Sequence, residues 1–105
     1  MVKHIVIWKL KSDAEGNDII TNAKKAKTLL ENLQGKIPGL KHVEVGINII
    51  GENNSGDICL YSEFETLEDL EKYHNHPEHL KIIPFMKRIR AERYVMDYTT
   101  QESEN

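Results

Sequence analysis

One cysteine, three prolines and one tryptophan are all that this chain of 105 residues holds of those types. The lone thiol, Cys59, excludes an internal disulfide framework and every cysteine-rich zinc module. A basic excess is missing as well. Fourteen Lys+Arg stand against 17 Asp+Glu, a formal net charge of −3, so gripping a phosphate backbone is not the expected task. No apolar run approaches the roughly 20 residues that cross a bilayer, and Met1-Val2-Lys3-His4 does not open a signal peptide. The expectation is a cytoplasmic protein that binds neither nucleic acid nor membrane. What is present, 39% hydrophobic and 30% charged residues, is the composition of one globular domain. Residues 1–98 carry its pattern, and 99–105 read as a polar, acidic tail that frays.

Val2 to Leu10 is rich in β-branched and aromatic residues and predicts a strand. Val2, His4, Val6, Trp8 and Leu10 share one face, and Ile5 and Ile7 sit between Lys3 and Lys9 on the other. A strand apolar on both faces requires cover on both. Ile19/Ile20, Ala23, Ala26, Leu30 and Leu33 then recur at spacings of three and four, an amphipathic helix with Ser12, Asp13 and Asn17 as candidate caps. Lys24, Lys25 and Lys27 fall on its far side as a solvated face, and Gly35 suits its C′ position. Alternation over 41–50 and over 57–64 predicts two further strands. The Gly51–Gly56 loop between them lacks the Lys-Ser/Thr ending of a phosphate cradle and reads as a hairpin connection.

Thr66 with Asp69 three residues on predicts the start of a second helix, whose buried stripe is Leu67, Leu70 and Tyr73 or His74. His76-Pro77 ends it, because the residue before proline leaves the α region. Pro77 fits the first position of another short helix carrying Leu80 and Ile83, which Pro84 limits. A last strand runs from Ala91 to Tyr98. The order βαββαβ is the ferredoxin-like unit of the α+β class, one antiparallel four-stranded sheet with its helices on one face. The uncovered face then needs a second apolar surface, and an identical chain related by a two-fold axis supplies it. The expected assembly is a homodimer, sheet face to sheet face, in the form of a dimeric α/β barrel.

Three of the five histidines cluster in Tyr73-His74-Asn75-His76-Pro77-Glu78-His79. His74 and His76 are two apart, and Pro77 interrupts the helix before His79. No i, i+4 ligand pair results, and no metal is expected. Acid–base chemistry suits these residues better. In the first turn of a helix opened by Pro77, His79 lies where unpaired N–H groups disfavour an imidazolium, as a general base requires. Tyr73, at the end of the preceding helix, is placed to donate to a developing oxyanion. His4 interrupts an apolar strand face and needs a partner for its ring nitrogens. Trp8 shares the face of His4, and His76 sits at the helix junction. Both are read as ligand-pocket candidates beside the catalytic candidates His79, Tyr73 and His4. Cys59 has no basic neighbour in sequence and reads as inert. The third strand lacks the aromatic pattern that stacks RNA bases.

Several segments together resemble the stress-responsive dimeric α/β-barrel (Dabb) family. They are Lys3–Lys11, Ile37–Gly46, Asp57–Phe64, Tyr94–Tyr98 and Leu70–His79, the last with its His-Pro-x-His ending. The resemblance implies a ferredoxin-like monomer whose sheet meets that of a second copy. The family includes the plant olivetolic acid cyclase, which closes a linear polyketide thioester by an intramolecular aldol step. By that likeness His79 is the base, Tyr73 holds the carbonyl oxygen and His4 orients the substrate, with no cofactor. The function so implied is binding of a small organic molecule between sheet and helices, as a cofactor-independent cyclase or lyase. The alternative is a non-catalytic, stress-induced dimeric module whose His/Tyr cluster is structural.

Overall fold

A computed structural model describes residues 1–51 and 55–100. Eight elements follow one another: β1 (Val2–Leu10), α1 (Ile19–Glu31), β2 (Leu40–Ile47), β3 (Ile58–Phe64), α2 (Leu67–Asn75), α3 (Pro77–Leu80), α4 (Ile83–Ile89) and β4 (Arg90–Thr99). The strands form one sheet in the order β2-β3-β1-β4, every neighbour antiparallel, which is the ferredoxin-like α+β arrangement. Along β1 the even residues, including His4, Val6 and Trp8, are buried under the helices, where Leu60, Phe64, Leu30, Phe85 and Ile89 complete the core. The opposite face carries Ile5 and Ile7 beside Tyr61 and Cys59 of β3 and Tyr94 and Met96 of β4. Among the described residues no helix lies on that side, and Ile7 (40%), Tyr94 (61%) and Met96 (64%) stand open to solvent.

Several local expectations change. Asp18, not Ser12, Asp13 or Asn17, caps α1, its carboxylate accepting the Thr21 N–H at 2.8 Å. Asn17 is instead engaged in a tight pairing with Ala14. Strand β2 stops at Ile47 because the Asn48 side chain turns the chain. Its Oδ1 accepts the Ile50 N–H, its Nδ2 donates to the Gly56 carbonyl, and Ile49 is left 92% exposed. Within the Gly51–Gly56 connection, residues 52–54 lie outside the described residues. Thr66 caps α2 as expected, accepting from Asp69 N and donating to Asp69 Oδ2, but Leu67 is exposed while Leu70 and Tyr73 are buried. Pro84 opens a helix instead of limiting one. It sits in the first turn of α4, where a missing N–H costs nothing. Strand β4 continues to Thr99, paired with Val2, and Thr100 N–H donates to the Met1 carbonyl at 3.1 Å. The remainder of the expected tail, 101–105, lies outside the described residues.

Lys27 is more than part of a solvated face. Its ammonium donates to Glu31 at 2.8 Å and to the Val45 carbonyl, and Glu31 accepts the Val45 N–H at 2.9 Å. Gln34 accepts the Val43 N–H and donates to the Lys41 carbonyl. Side chains from α1 and the turn after it thus close the outer edge of β2, which would otherwise offer unpaired backbone groups to another strand.

Candidate functional site

Between the sheet and α2–α4 lies a cavity of about 40 Å³. His4, Val6 and Trp8 of β1 form its floor, Tyr73, His74 and His79 one wall, and Ile82, Ile83 and Met86 the other. The local sequence explains the wall. α2 runs to Asn75, and His76 both terminates it and caps α3, its ring Nδ1 accepting the Glu78 N–H at 3.1 Å. The break reverses the chain, so His79 comes back over Tyr73 with ring centroids 4.3 Å apart.

The protonation pattern follows from the partners. The His79 Nδ1–H donates to the His74 carbonyl at 3.2 Å, which leaves Nε2 as the basic nitrogen. Burial holds the His79 imidazole below its ordinary value, with the nearby charges of His74, His4 and Arg93 acting the same way and the bond to His74 opposing. Desolvation, more than the end of the four-residue α3, is therefore what favours the neutral ring. His74 is lowered for the same leading reason. Tyr73 is buried against Phe64, centroids 5.0 Å apart, and burial pushes its phenol up, so it is a proton donor at neutral pH. Its hydroxyl has no hydrogen-bond partner among the described residues.

His4 is 2% exposed, with its ring edge-on to those of Tyr73 (6.0 Å) and His74 (5.4 Å). Its Nδ1–H donates to Asp97 Oδ1 at 2.5 Å. The carboxylate fixes the tautomer and leaves Nε2 as the ring nitrogen free for a ligand in the cavity that His4 lines. Asp97 is directly opposite His4 in the β1–β4 ladder, and alternation in β4 puts it with Val95 and Arg93 on the helix side. Sequence reasoning missed it. The 93 positions that separate the partners in sequence hide the pairing, and only the strand register reveals it.

His4, Tyr73, His79 and Trp8 thus come together around one space, and His74 joins them. His76 does not line it and serves the helix junction. Lys87, Arg90 and Arg93 at the remaining rim were also not anticipated. Among the described residues no group of three or more His, Cys, Asp or Glu side chains is arranged to hold a metal ion. The arrangement offers the Nε2 atoms of His79 and His4 and one phenolic donor facing a partly apolar space. It is equipped to remove a proton from a polarised C–H or O–H group and to stabilise the oxygen that gains charge.

A family model described as the stress responsive A/B barrel domain matches residues 2–100. No curated protein matches the sequence. Among solved structures, a dimeric protein of unknown function with a ferredoxin-like fold from Bacteroides fragilis is 33% identical. That match covers 94% of this chain and 95% of the other, with a TM-score of 0.82. A dimeric ferredoxin-like protein of unknown function from Thermobifida fusca is 17% identical, over 94% and 90% of the two chains, with a TM-score of 0.80. A hydroxynitrile lyase from Passiflora edulis is 19% identical, over 99% and 96%, with a TM-score of 0.78. No helix is long and apolar enough to cross a membrane among the described residues.

Proposed function

The chain belongs to the stress responsive A/B barrel domain family, and from that premise we propose that it is a homodimeric, cofactor-independent acid–base enzyme acting on a small carbonyl compound. In the reaction His79 Nε2 takes a proton from carbon beside the carbonyl. The electron pair moves into the carbonyl oxygen, which accepts a hydrogen bond from the Tyr73 hydroxyl. The Asp97-held His4 orients the substrate through its Nε2. Carbon–carbon bond formation by aldol cyclisation passes through such a step; in a lyase the same base would instead take a hydroxyl proton as the carbon–carbon bond breaks and the carbonyl forms, and a hydroxynitrile lyase shares this fold. The observation that carries the reading is the His79 Nδ1–H bond to the His74 carbonyl, which presents a basic nitrogen beside a buried phenol with no other partner.

One observation favours the alternative, a non-catalytic dimeric module. The cavity is small, and Tyr73 packs on Phe64 and His4 as a core aromatic would. The two readings separate in an exchange experiment. In D2O, NMR follows deuterium uptake at the acidic C–H of a panel of acyl and aromatic carbonyl compounds, with native mass spectrometry reporting binding. The enzyme reading predicts catalysed exchange with at least one compound. His79→Ala should lower it about 10²- to 10⁴-fold and Tyr73→Phe about 10²-fold. Binding and exchange unchanged in both variants would leave the module reading in place.

Dimerisation uses the open face of the sheet in this reading. It is supported by the exposed Ile7, Tyr94 and Met96 and by the dimeric state of the Bacteroides fragilis relative.

A further inference from the structure

The cavity rim has a charge pattern that the acid–base reading does not use. Among the described residues Lys87, Arg90 and Arg93 line it and no carboxylate does, although the chain as a whole is acidic. None of the three has an ion-pair partner among the described residues. Arg93 is directly opposite Trp8 in the β1–β4 ladder, and Arg90 opposite Leu10, so both guanidinium groups rise from the strand that borders the cavity. Lys87, in the last turn of α4, approaches from the helix side. Burial and then the neighbouring Arg90 disfavour the Arg93 charge, Asp97 and Tyr73 favour it, and that charge is felt at Tyr73, His74 and His79.

A second, independent feature belongs to the same space. Trp8 is 4% exposed, and its indole Nε1–H is fully buried without a hydrogen-bond partner among the described residues. Buried donors are almost always satisfied, by protein or by ordered water, and because Trp8 lines the cavity an acceptor oxygen on a bound ligand would satisfy this one. A carboxylate or carbonyl oxygen supplies one, and planar oxyanions match the forked donors of arginine. The volume leaves room for about three water-sized groups, so most of the ligand is a short chain with its charged end at the rim.

We infer that the ligand of this pocket is a small carboxylate bearing a carbonyl, a short oxo acid. Its carboxylate is clamped by Arg90, Arg93 and Lys87, and an oxygen within reach of Trp8 accepts the indole N–H. The inference rests on the reading of this cavity as a binding site and adds the charge of what it binds.

The chain has a single tryptophan, so its indole N–H gives one resolved ¹H–¹⁵N cross-peak. Acetoacetate and its neutral ester, methyl acetoacetate, are titrated against the full chain and against Arg90→Gln/Arg93→Gln. Both arginines are at least partly exposed, and retention of the remaining spectrum verifies the fold. The expected result is a saturable shift of the Trp8 peak, with acetoacetate bound about tenfold or more tightly than the ester. In the double variant that preference should collapse towards parity. Equal affinities for acid and ester, or an acid preference that survives the double substitution, overturns the anion assignment and leaves the binding reading standing. No shift with either compound contradicts the oxo-acid ligand, and if no carbonyl compound of the wider panel binds, the pocket reading falls with it.

Discussion

At the scale of single residues, protonation decides what the cavity can do. In the proposed reaction His79 acts as a base only while neutral, and burial holds its imidazole below the ordinary 6.5. The acidic limb of the exchange rate against pH should therefore have a midpoint below 6.5, and a midpoint at or above it would remove His79 as the base. The same depression has a stability consequence with a fixed sign. Above pH 6.5 neither the folded nor the unfolded chain binds a proton at this site. As pH falls below 6.5 the unfolded chain is protonated first, so stability drops until the lower folded-state value is passed. Urea unfolding at pH 7 and pH 5 should show a smaller loss for His79→Gln than for the parent chain. Asp97 makes a separate prediction. Without its acceptor the buried His4 Nδ1–H is orphaned, so Asp97→Val should cost about 1–3 kcal/mol by denaturant titration, and Asp97→Asn, which keeps an oxygen there, much less. His4, Tyr73 and His79 were legible in the sequence because each is chemically conspicuous against its local pattern. Asp97, Arg90 and Arg93 were not. Each looks like an ordinary charge on an edge strand until the register sets it against His4, Leu10 or Trp8.

At the scale of elements, the helix breaks build the site. The strand–helix order was readable from period and caps, since Thr66 and Pro77 act locally, whereas Gly35, expected at the C′ position of α1, lies three residues beyond its C-cap Asn32. The α3–α4 segment was harder. Two prolines seven residues apart permit either an ended helix or a newly started one, and Phe85, Met86 and Ile89 packing into the core selects the second. The far end of α2 depends on Gly39. Its φ of +83° belongs to the left-handed region, its carbonyl accepts the Glu65 N–H at 3.0 Å, and an added Cβ would collide with the Asp69 side chain in the first turn of α2. Gly39→Ala should thus lower stability by more than about 1 kcal/mol, from backbone strain plus displacement of the helix start. An unchanged midpoint in thermal unfolding would show that this junction relaxes freely.

At the scale of the whole molecule, one sheet separates two jobs. Its helix side holds the core and the His4–Tyr73–His79 cluster, and its open side presents Ile5, Ile7, Tyr61, Tyr94 and Met96, with a Lys3–Glu63–Tyr61 hydrogen-bonded group at one end. The two apolar faces of β1 made this division legible in the sequence. The extent of helix cover was not, because β4 keeps Arg93, Val95 and Asp97 exposed on the helix side as well. A lone subunit would leave a contiguous apolar patch in water, which single-chain proteins rarely do. Sedimentation equilibrium at micromolar concentration, on the parent chain and on Ile7→Lys/Met96→Asp, tests this division most directly. The account predicts about 24 kDa for the parent, twice the 12.1 kDa chain, and 12.1 kDa for the variant, with the Trp8 indole peak of the variant unmoved because the cavity lies across the sheet. A parent mass of 12.1 kDa would contradict it.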